Sequence, residues 1–208
     1  MVTARVVGCP LSPAGRCAKR AFDVVVAGLS LVFLAPVFAI IAVAIKLESP
    51  GPVFFIQSRH GYNNAPIRIL KFRTMAVVRG SLFRQACRCD PRVTRVGRWL
   101  RATSIDELPQ LLNVLAGDMS LVGPRPHAIV HNEMFAALIA SFWRRHNVKP
   151  GITGWAQVNG CRGETNTLEK MRRRVECDLY YVDHWSFTFD LTIIAMTLFS
   201  RRAHSNAY

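Results

Sequence analysis

From Val24 to Ile45 the chain runs for 22 residues without a charged side chain, between Asp23 and Lys46. At a helical rise of about 1.5 Å per residue, about 20 apolar residues reach across the hydrocarbon core of a bilayer. The run is too long for the apolar centre of a signal peptide, about 7–15 residues. The residues that follow, Lys46-Leu47-Glu48-Ser49-Pro50, do not form a small-residue cleavage site. Buried helices of soluble domains are normally shorter. The sequence therefore predicts a membrane-embedded helix that stays in the mature protein.

How that helix meets the bilayer depends on its flanks and on Pro36. Arg5, Arg16, Lys19 and Arg20 precede it with no acid before Asp23, and Lys46, Arg59, Arg68, Lys71 and Arg73 follow. Basic flanks prefer the cytoplasmic side, so a spanning helix would send one of them outward. Pro36 lacks an N–H and crowds the carbonyl of Val32, which predicts a kink. A helix broken at Pro36 that enters and leaves by one face is the favoured reading. A kinked spanning helix is the alternative.

The whole chain has 208 residues, with 27 Lys and Arg against 13 Asp and Glu, a net charge of +14. Half the residues are apolar, which excludes a disordered chain. Such a basic excess points to anionic partners: nucleic acid, lipid headgroups or phosphorylated substrates. The apolar run argues against the first, and no nucleic-acid-binding motif is present. The six cysteines include Cys87-Arg88-Cys89, a spacing that fits neither zinc ribbons nor dithiol redox motifs. They read as reduced thiols facing the cytosol.

Beyond the apolar run, Ser49-Pro50-Gly51-Pro52 forms a turn cluster. Val53–Ile56 and Ile67–Phe72 read as paired strands with a turn at Gly61–Asn64. The stretch from Gly80 to Pro91 reads as loop. Val96 to Leu115 reads as helical, with Ser104 three residues before Glu107, the capping-box spacing. That start would place Asp106 and Glu107 in the first turn of a helix closed at Gly117. His127–His146 and the basic Thr167–Tyr181 read as further helices, and Leu191–Phe199 as a short apolar tail.

The charge is concentrated. Residues 51–130 hold twelve Lys and Arg against four acids, Asp90, Asp106, Glu107 and Asp118. Adjacent acids are ordinary in a first turn, where the helix dipole favours them. In a basic field beside a membrane segment they are also catalytic candidates. Neighbours on a helix do not share a face, so a proton-sharing dyad is disfavoured. Two separate jobs suit them better: a carboxylate nucleophile for phosphoryl chemistry and a ligand for a divalent metal. Arg and Lys nearby would neutralise the transferring phosphate. Arg125 sits between Pro124 and Pro126, whose fixed φ angles should hold its guanidinium in place.

Five segments resemble the bacterial sugar transferase family, the monotopic phosphoglycosyl transferases of exopolysaccharide, capsule and O-antigen assembly. They are Lys71–Met75, Asp90–Thr94, Ser104–Gln110, Gly117–Pro126 and Lys149–Trp155. The resemblance covers the chain from about Lys19 to about Phe199, as the catalytic unit without the multi-spanning region of larger members. Arg162–Thr165 and Thr167–Met171 resemble the exopolysaccharide-initiating branch, which often transfers glucose-1-phosphate or galactose-1-phosphate. The resemblance implies attack of Asp106 on the β-phosphate of a UDP-sugar, release of UMP, and transfer of the phosphosugar to polyprenyl (undecaprenyl) phosphate. It assigns Glu107 to Mg²⁺, and Lys71, Arg73, Arg101 and Arg125 to the substrate. It implies UDP-sugar, polyprenyl phosphate and membrane lipid as partners, with downstream glycosyltransferases taking the product. Self-association stays open, and nucleic acid is not an expected partner. The expected place is the cytoplasmic face of the bacterial inner membrane.

The fold so expected is mainly α with minor β. Its divisions are an N-terminal tail (1–18), a re-entrant helix broken at Pro36 (19–48), a cytosolic catalytic domain with interfacial amphipathic helices (49–200) and a C-terminal tail (201–208). The chain departs from the family pattern at Ala35, Cys161, Asn166 and Cys177. A weaker signal is the i, i+4 pair His127 and His131, which suits zinc only if a third ligand exists. Trp143, Trp155 and Trp185 suit a lipid interface or a core equally. The rival functions are a non-catalytic scaffold of polysaccharide assembly and a plain glycosyl transferase that releases UDP.

Overall fold

The computed structural model describes residues 12–76, 90–163 and 167–199. The two expected tails lie wholly or largely outside the described residues, as do most of the expected Gly80–Pro91 loop and Asn166.

Helix α1 (Pro13–Glu48) is 36 residues long and starts six residues before the expected Lys19. Ser12 and Pro13 explain the difference. The Ser12 hydroxyl accepts from the Gly15 N–H at 3.1 Å, and proline is pre-shaped for a helix's first position. The helix also does not end at Pro36, which lies inside it. A proline forfeits one backbone hydrogen bond, and here the turns on both sides carry the helix past it. Only 11% of the most apolar window of α1 is buried. Val32, Phe33, Ile40 and Leu47 are each at least 70% exposed. Ala27, Ile41 and Ile45 pack inward.

Both polar ends of α1 bond to the rest of the chain. Near its start, Lys19 pairs with Asp190, Arg20 donates to the carbonyls of Val114 and Leu115, and Asp23 accepts from the Leu121 N–H. At its far end the Glu48 carboxylate accepts from the N–H groups of Arg95 and Val96, at 2.6 and 3.0 Å. These are the first amides of α2 (Arg95–Thr103), where unpaired donors favour an anion.

Strands β1 (Phe54–His60) and β2 (Pro66–Phe72) form the expected antiparallel hairpin, in register Phe55↔Lys71, Gln57↔Ile69 and Arg59↔Ile67. The stretch expected as one helix from Val96 to Leu115 is two helices. Helix α2 closes at Ser104, whose φ of 61° is left-handed. A 3-10 turn at Ile105–Glu107 follows, then α3 (Gln110–Ala116), closed by Gly117. Ser104 thus ends α2 and also precedes the 3-10 turn that holds Asp106 and Glu107, but its side chain makes no capping bond to that turn. Thr94 caps α2 by accepting from the Gly97 N–H at 2.9 Å, and Pro109 precedes α3.

A parallel pair that the sequence reading did not foresee joins β3 (Ser120–Val122) to β4 (Gly151–Thr153). Glycine is required at this junction. A Cβ on Gly123 would lie 2.3 Å from the Lys149 carbonyl oxygen, and one on Gly151 would lie 2.1 Å from the Gly123 nitrogen. The remaining helices are α4 (Ile129–Leu138), the short α5 (Trp155–Val158), α6 (Leu168–Asp183) and α7 (Phe187–Phe199). A 3-10 segment (Phe142–Asn147) follows α4.

The main core joins Ala27 of α1 to Ile69, Val114, Met119, Val122, Tyr181 and Ile193. A second cluster packs Phe135 and Phe142 against Met171 and Val175. A third packs Ile41 and Ile45 against Phe72 and Leu100. The three tryptophans singled out by sequence pack internally: Trp155 against Tyr180 and Phe189, Trp143 against Phe142, and Trp185 by donating to Asp190 at 3.1 Å.

Candidate functional site

The left-handed Ser104 swings the chain out of α2 and into the 3-10 turn that carries Asp106 and Glu107. Their environments differ accordingly. Glu107 is buried and held from two sides. Lys71 of β2 donates to its Oε1 at 2.7 Å. Arg125 forks onto both oxygens, Nη1 to Oε2 at 2.8 Å and Nη2 to Oε1. Burial alone would raise the Glu107 carboxyl, but Arg125 and Lys71 hold it well below the usual range. It is a fixed anion.

Asp106 is half-buried, and among the described residues no hydrogen bond or ion pair holds its carboxylate. Burial, and next the charge on Glu107, push it up to about 6, against the pull of Lys71, Arg125 and Arg101. A carboxylate with its oxygens unengaged and its negative charge disfavoured is poised to share electrons with an electrophile. Beside it, burial pushes the Lys71 ammonium down while Glu107 opposes the shift.

The structure brings together Asp106, Glu107, Lys71, Arg125 and Arg101, the last through its charge from the final turn of α2. It does not bring Arg73 to them. The backbone leaves the strand after Phe72, and the buried Arg73 guanidinium turns to the end of α1 instead. There it donates to the carbonyls of Ser49 and Pro50, both at 2.7 Å, and to the Ser49 hydroxyl at 3.0 Å. In the structure Arg73 therefore makes a helix-end contact and is not among the groups around the two carboxylates.

Two arginines join the site that the sequence reading did not assign to it. Arg59 lies in β1 and donates to Gln57 Oε1 at 2.6 Å and to the Pro126 carbonyl at 2.8 Å. Burial, and then the charge of Arg125, lower it to about 10. The hairpin register could have found it, because Phe55, Gln57 and Arg59 share a sheet face with Lys71. Arg162 donates to the Ser104 hydroxyl and feels the charges of Arg125, Glu107 and Asp106.

Glu107 is the residue of the cluster that could hold a divalent metal such as Mg²⁺. Among the described residues, Glu107 Oε2 accepts only from Arg125 Nη1, which leaves acceptor capacity on that oxygen. Magnesium is commonly held by one or two carboxylates together with substrate phosphates and water. Among the described residues, no group of three His, Cys, Asp or Glu could hold a metal by itself. The zinc reading of His127 and His131 gains nothing from this. His127 lies between the guanidinium groups of Arg145 and Arg174, and the His131 side chain is outside the described residues.

Comparison with known proteins gives a consistent picture. The family model described as bacterial sugar transferase matches residues 14–203. A UDP-glucose:undecaprenyl-phosphate glucose-1-phosphate transferase of Escherichia coli K12 is 54% identical over 200 residues, 96% of this chain and 43% of that protein. A protein of the same name from Caulobacter vibrioides is 53% identical over 191 residues, 91% of this chain and 72% of its own length. The exopolysaccharide production protein PSS of Rhizobium leguminosarum is 44% identical over 91% of this chain and 98% of its own length. The chain thus spans less than half the length of the E. coli relative.

Proposed function

From membership of the bacterial sugar transferase family, to which this chain belongs, we propose that it transfers a sugar-1-phosphate from a UDP-sugar to undecaprenyl phosphate and releases UMP. The names of the E. coli and Caulobacter relatives make glucose the favoured sugar, and galactose is the second donor that the family resemblance implies. The observation that carries the chemistry is the unequal carboxylate pair: a clamped Glu107 beside an unbonded Asp106, within a ring of cations.

The Asp106 carboxylate attacks the β-phosphorus, the bond to the bridging oxygen breaks, and UMP leaves with that electron pair. Lys71, Arg125, Arg101 and Arg59 stabilise the charge that gathers on the phosphate oxygens. Glu107 holds Arg125 and Lys71 in place and would bind Mg²⁺, which supplies further positive charge to the diphosphate. A phosphate oxygen of undecaprenyl phosphate then attacks the phosphorus of the aspartyl phosphosugar. That step frees Asp106 and yields an undecaprenyl diphosphate sugar, the starting unit of exopolysaccharide, capsule or O-antigen and the substrate of downstream glycosyltransferases.

The site sits at the cytoplasmic face of the inner membrane in this reading. One long apolar helix with its hydrophobic residues outward supports membrane attachment. Entry and exit by the same face are supported by the anchoring of α1, because Arg20 and Glu48 bond to the same domain. A helix that crossed the bilayer would put its two ends on opposite sides, about 30 Å apart. Exposed Trp99 of α2, with Arg95 and Arg98 on the same helix, suits an interfacial position.

The test is nucleotide release by the full chain with undecaprenyl phosphate, Mg²⁺ and a panel of UDP-sugars, beside Asp106→Asn. UMP appearing with UDP-glucose, and lost by at least about 1,000-fold in the variant, is expected for removal of a nucleophile. UDP as product would point to plain glycosyl transfer. No turnover with any donor would favour the scaffold.

A further inference from the structure

The Arg125 guanidinium can fork onto Glu107 only if its backbone is held still, and the chain around it is held in an unusual way. Three successive carbonyls are each gripped by a donor from a different element. Pro124 O accepts from the Gly151 N–H of β4 at 3.1 Å. Arg125 O accepts from Arg145 Nη2 at 2.7 Å. Pro126 O accepts from Arg59 Nη1 at 2.8 Å. Only the middle grip comes from a buried charge outside the ring around Asp106. Arg145 lies on the 3-10 segment after α4 and is 2% exposed.

Arg145 is itself anchored. Its Nη2 lies 2.7 Å from Asp178 Oδ2 of α6, also buried, and its Nη1 meets His127 Nδ1, two residues after Arg125. On the far side of that imidazole stands Arg174 Nη1 at 3.1 Å. Arg174 in turn donates to the carbonyls of Cys161 at 2.9 Å and Gly163 at 2.8 Å, which flank Arg162. Burying such a charged group adds little net stability, because desolvation offsets the attraction between its ions. What it provides is fixed geometry. A planar guanidinium can serve a carbonyl, a carboxylate and an imidazole at once, which an ammonium cannot.

We propose that Arg145, anchored by Asp178, is a positioning residue that holds the Arg125 backbone and His127 so that the Arg125 guanidinium stays on Glu107. It touches no reacting atom and acts through Arg125. The inference rests on the proposed transfer reaction only for its effect on rate. Its structural content can be tested without turnover.

The experiment uses the full chain in lipid nanodiscs, as wild type, Arg145→Lys and Asp178→Asn. Arginine modification by phenylglyoxal is followed by peptide mass spectrometry, with exposed Arg172 as internal reference. In Arg145→Lys the Arg125 rate should rise about tenfold relative to Arg172, and UMP release should fall about 100-fold in kcat with little change in donor KM, as loss of alignment predicts. Asp178→Asn should lie between the two. A folded variant whose Arg125 reacts as in wild type overturns the proposal, as does loss of activity that only tracks loss of folded protein in both variants. If the wild type releases no UMP, the modification rates still decide the positioning role, and the proposed function fails separately.

Discussion

At Asp106 the electrostatics make a prediction that needs no substrate. Burial and the Glu107 charge raise this carboxyl from its ordinary 3.8 to about 6. A raised acid is mostly protonated below that value, and its attacking, ionised form predominates above it. Titration of the Asp106 carboxyl by carbon NMR in metal-free protein should therefore show a midpoint near 6. A midpoint near 4 would mean that the surrounding cations outweigh burial. Lys71 and Arg125 were expected beside Asp106 and Glu107 from the family resemblance, as substrate-binding residues, while the composition showed only that acids are few in a basic segment. Arg59 and Arg162 were not. Their places depend on which face of a strand meets which loop, and that is fixed only by long-range packing.

Elements were legible where local chemistry decides them and misread where a single backbone angle does. The β1–β2 hairpin followed from its β-branched and aromatic residues and its turn. The division of the 96–115 stretch into α2 and α3 did not, because Ser104 gives no sign that it adopts a left-handed φ of 61°. The same spacing, Ser104 to Glu107, serves a capping box equally well. The β3–β4 pair was missed because strands this short carry no periodicity. Arg73 belongs to this scale, since it ties the end of α1 to the end of β2. Arg73→Ala should lose about 1–2 kcal/mol of stability, by removing a buried charged donor from the Ser49 and Pro50 carbonyls. The folded fraction should keep a donor KM close to wild type. A selective rise in KM with unchanged melting behaviour would return Arg73 to the substrate.

Across the whole molecule, the apolar run correctly announced a helix with its hydrophobic side chains outward, but not how it is joined to the rest. That joint decides topology. In a cysteine-free background, Ala14→Cys and Pro52→Cys should both react with a membrane-impermeant maleimide from one side of sealed vesicles. Labelling of the two positions from opposite sides would establish a spanning helix and overturn the same-face reading. Pro36 lies inside α1, which is helical on both sides of it, and the same-face reading places the change of direction there. The sequence supplies the cause of a kink there, but whether the surrounding turns continue is set by the contacts at either end.

The carboxylate of Glu48 gives the joint a further meaning. It is the last residue of α1, and it fills the N-terminal amides of α2, whose opposite end hands the chain to Asp106. The apolar helix is thus not a tether from which the rest of the chain could be cut free. Deleting α1 to obtain a soluble fragment would remove the carboxylate that bonds the first two amides of α2 and the side chains that close the third core cluster. Solubility has to be engineered on the outward face of α1, at positions such as Phe33 and Ile40, with the helix itself left in place.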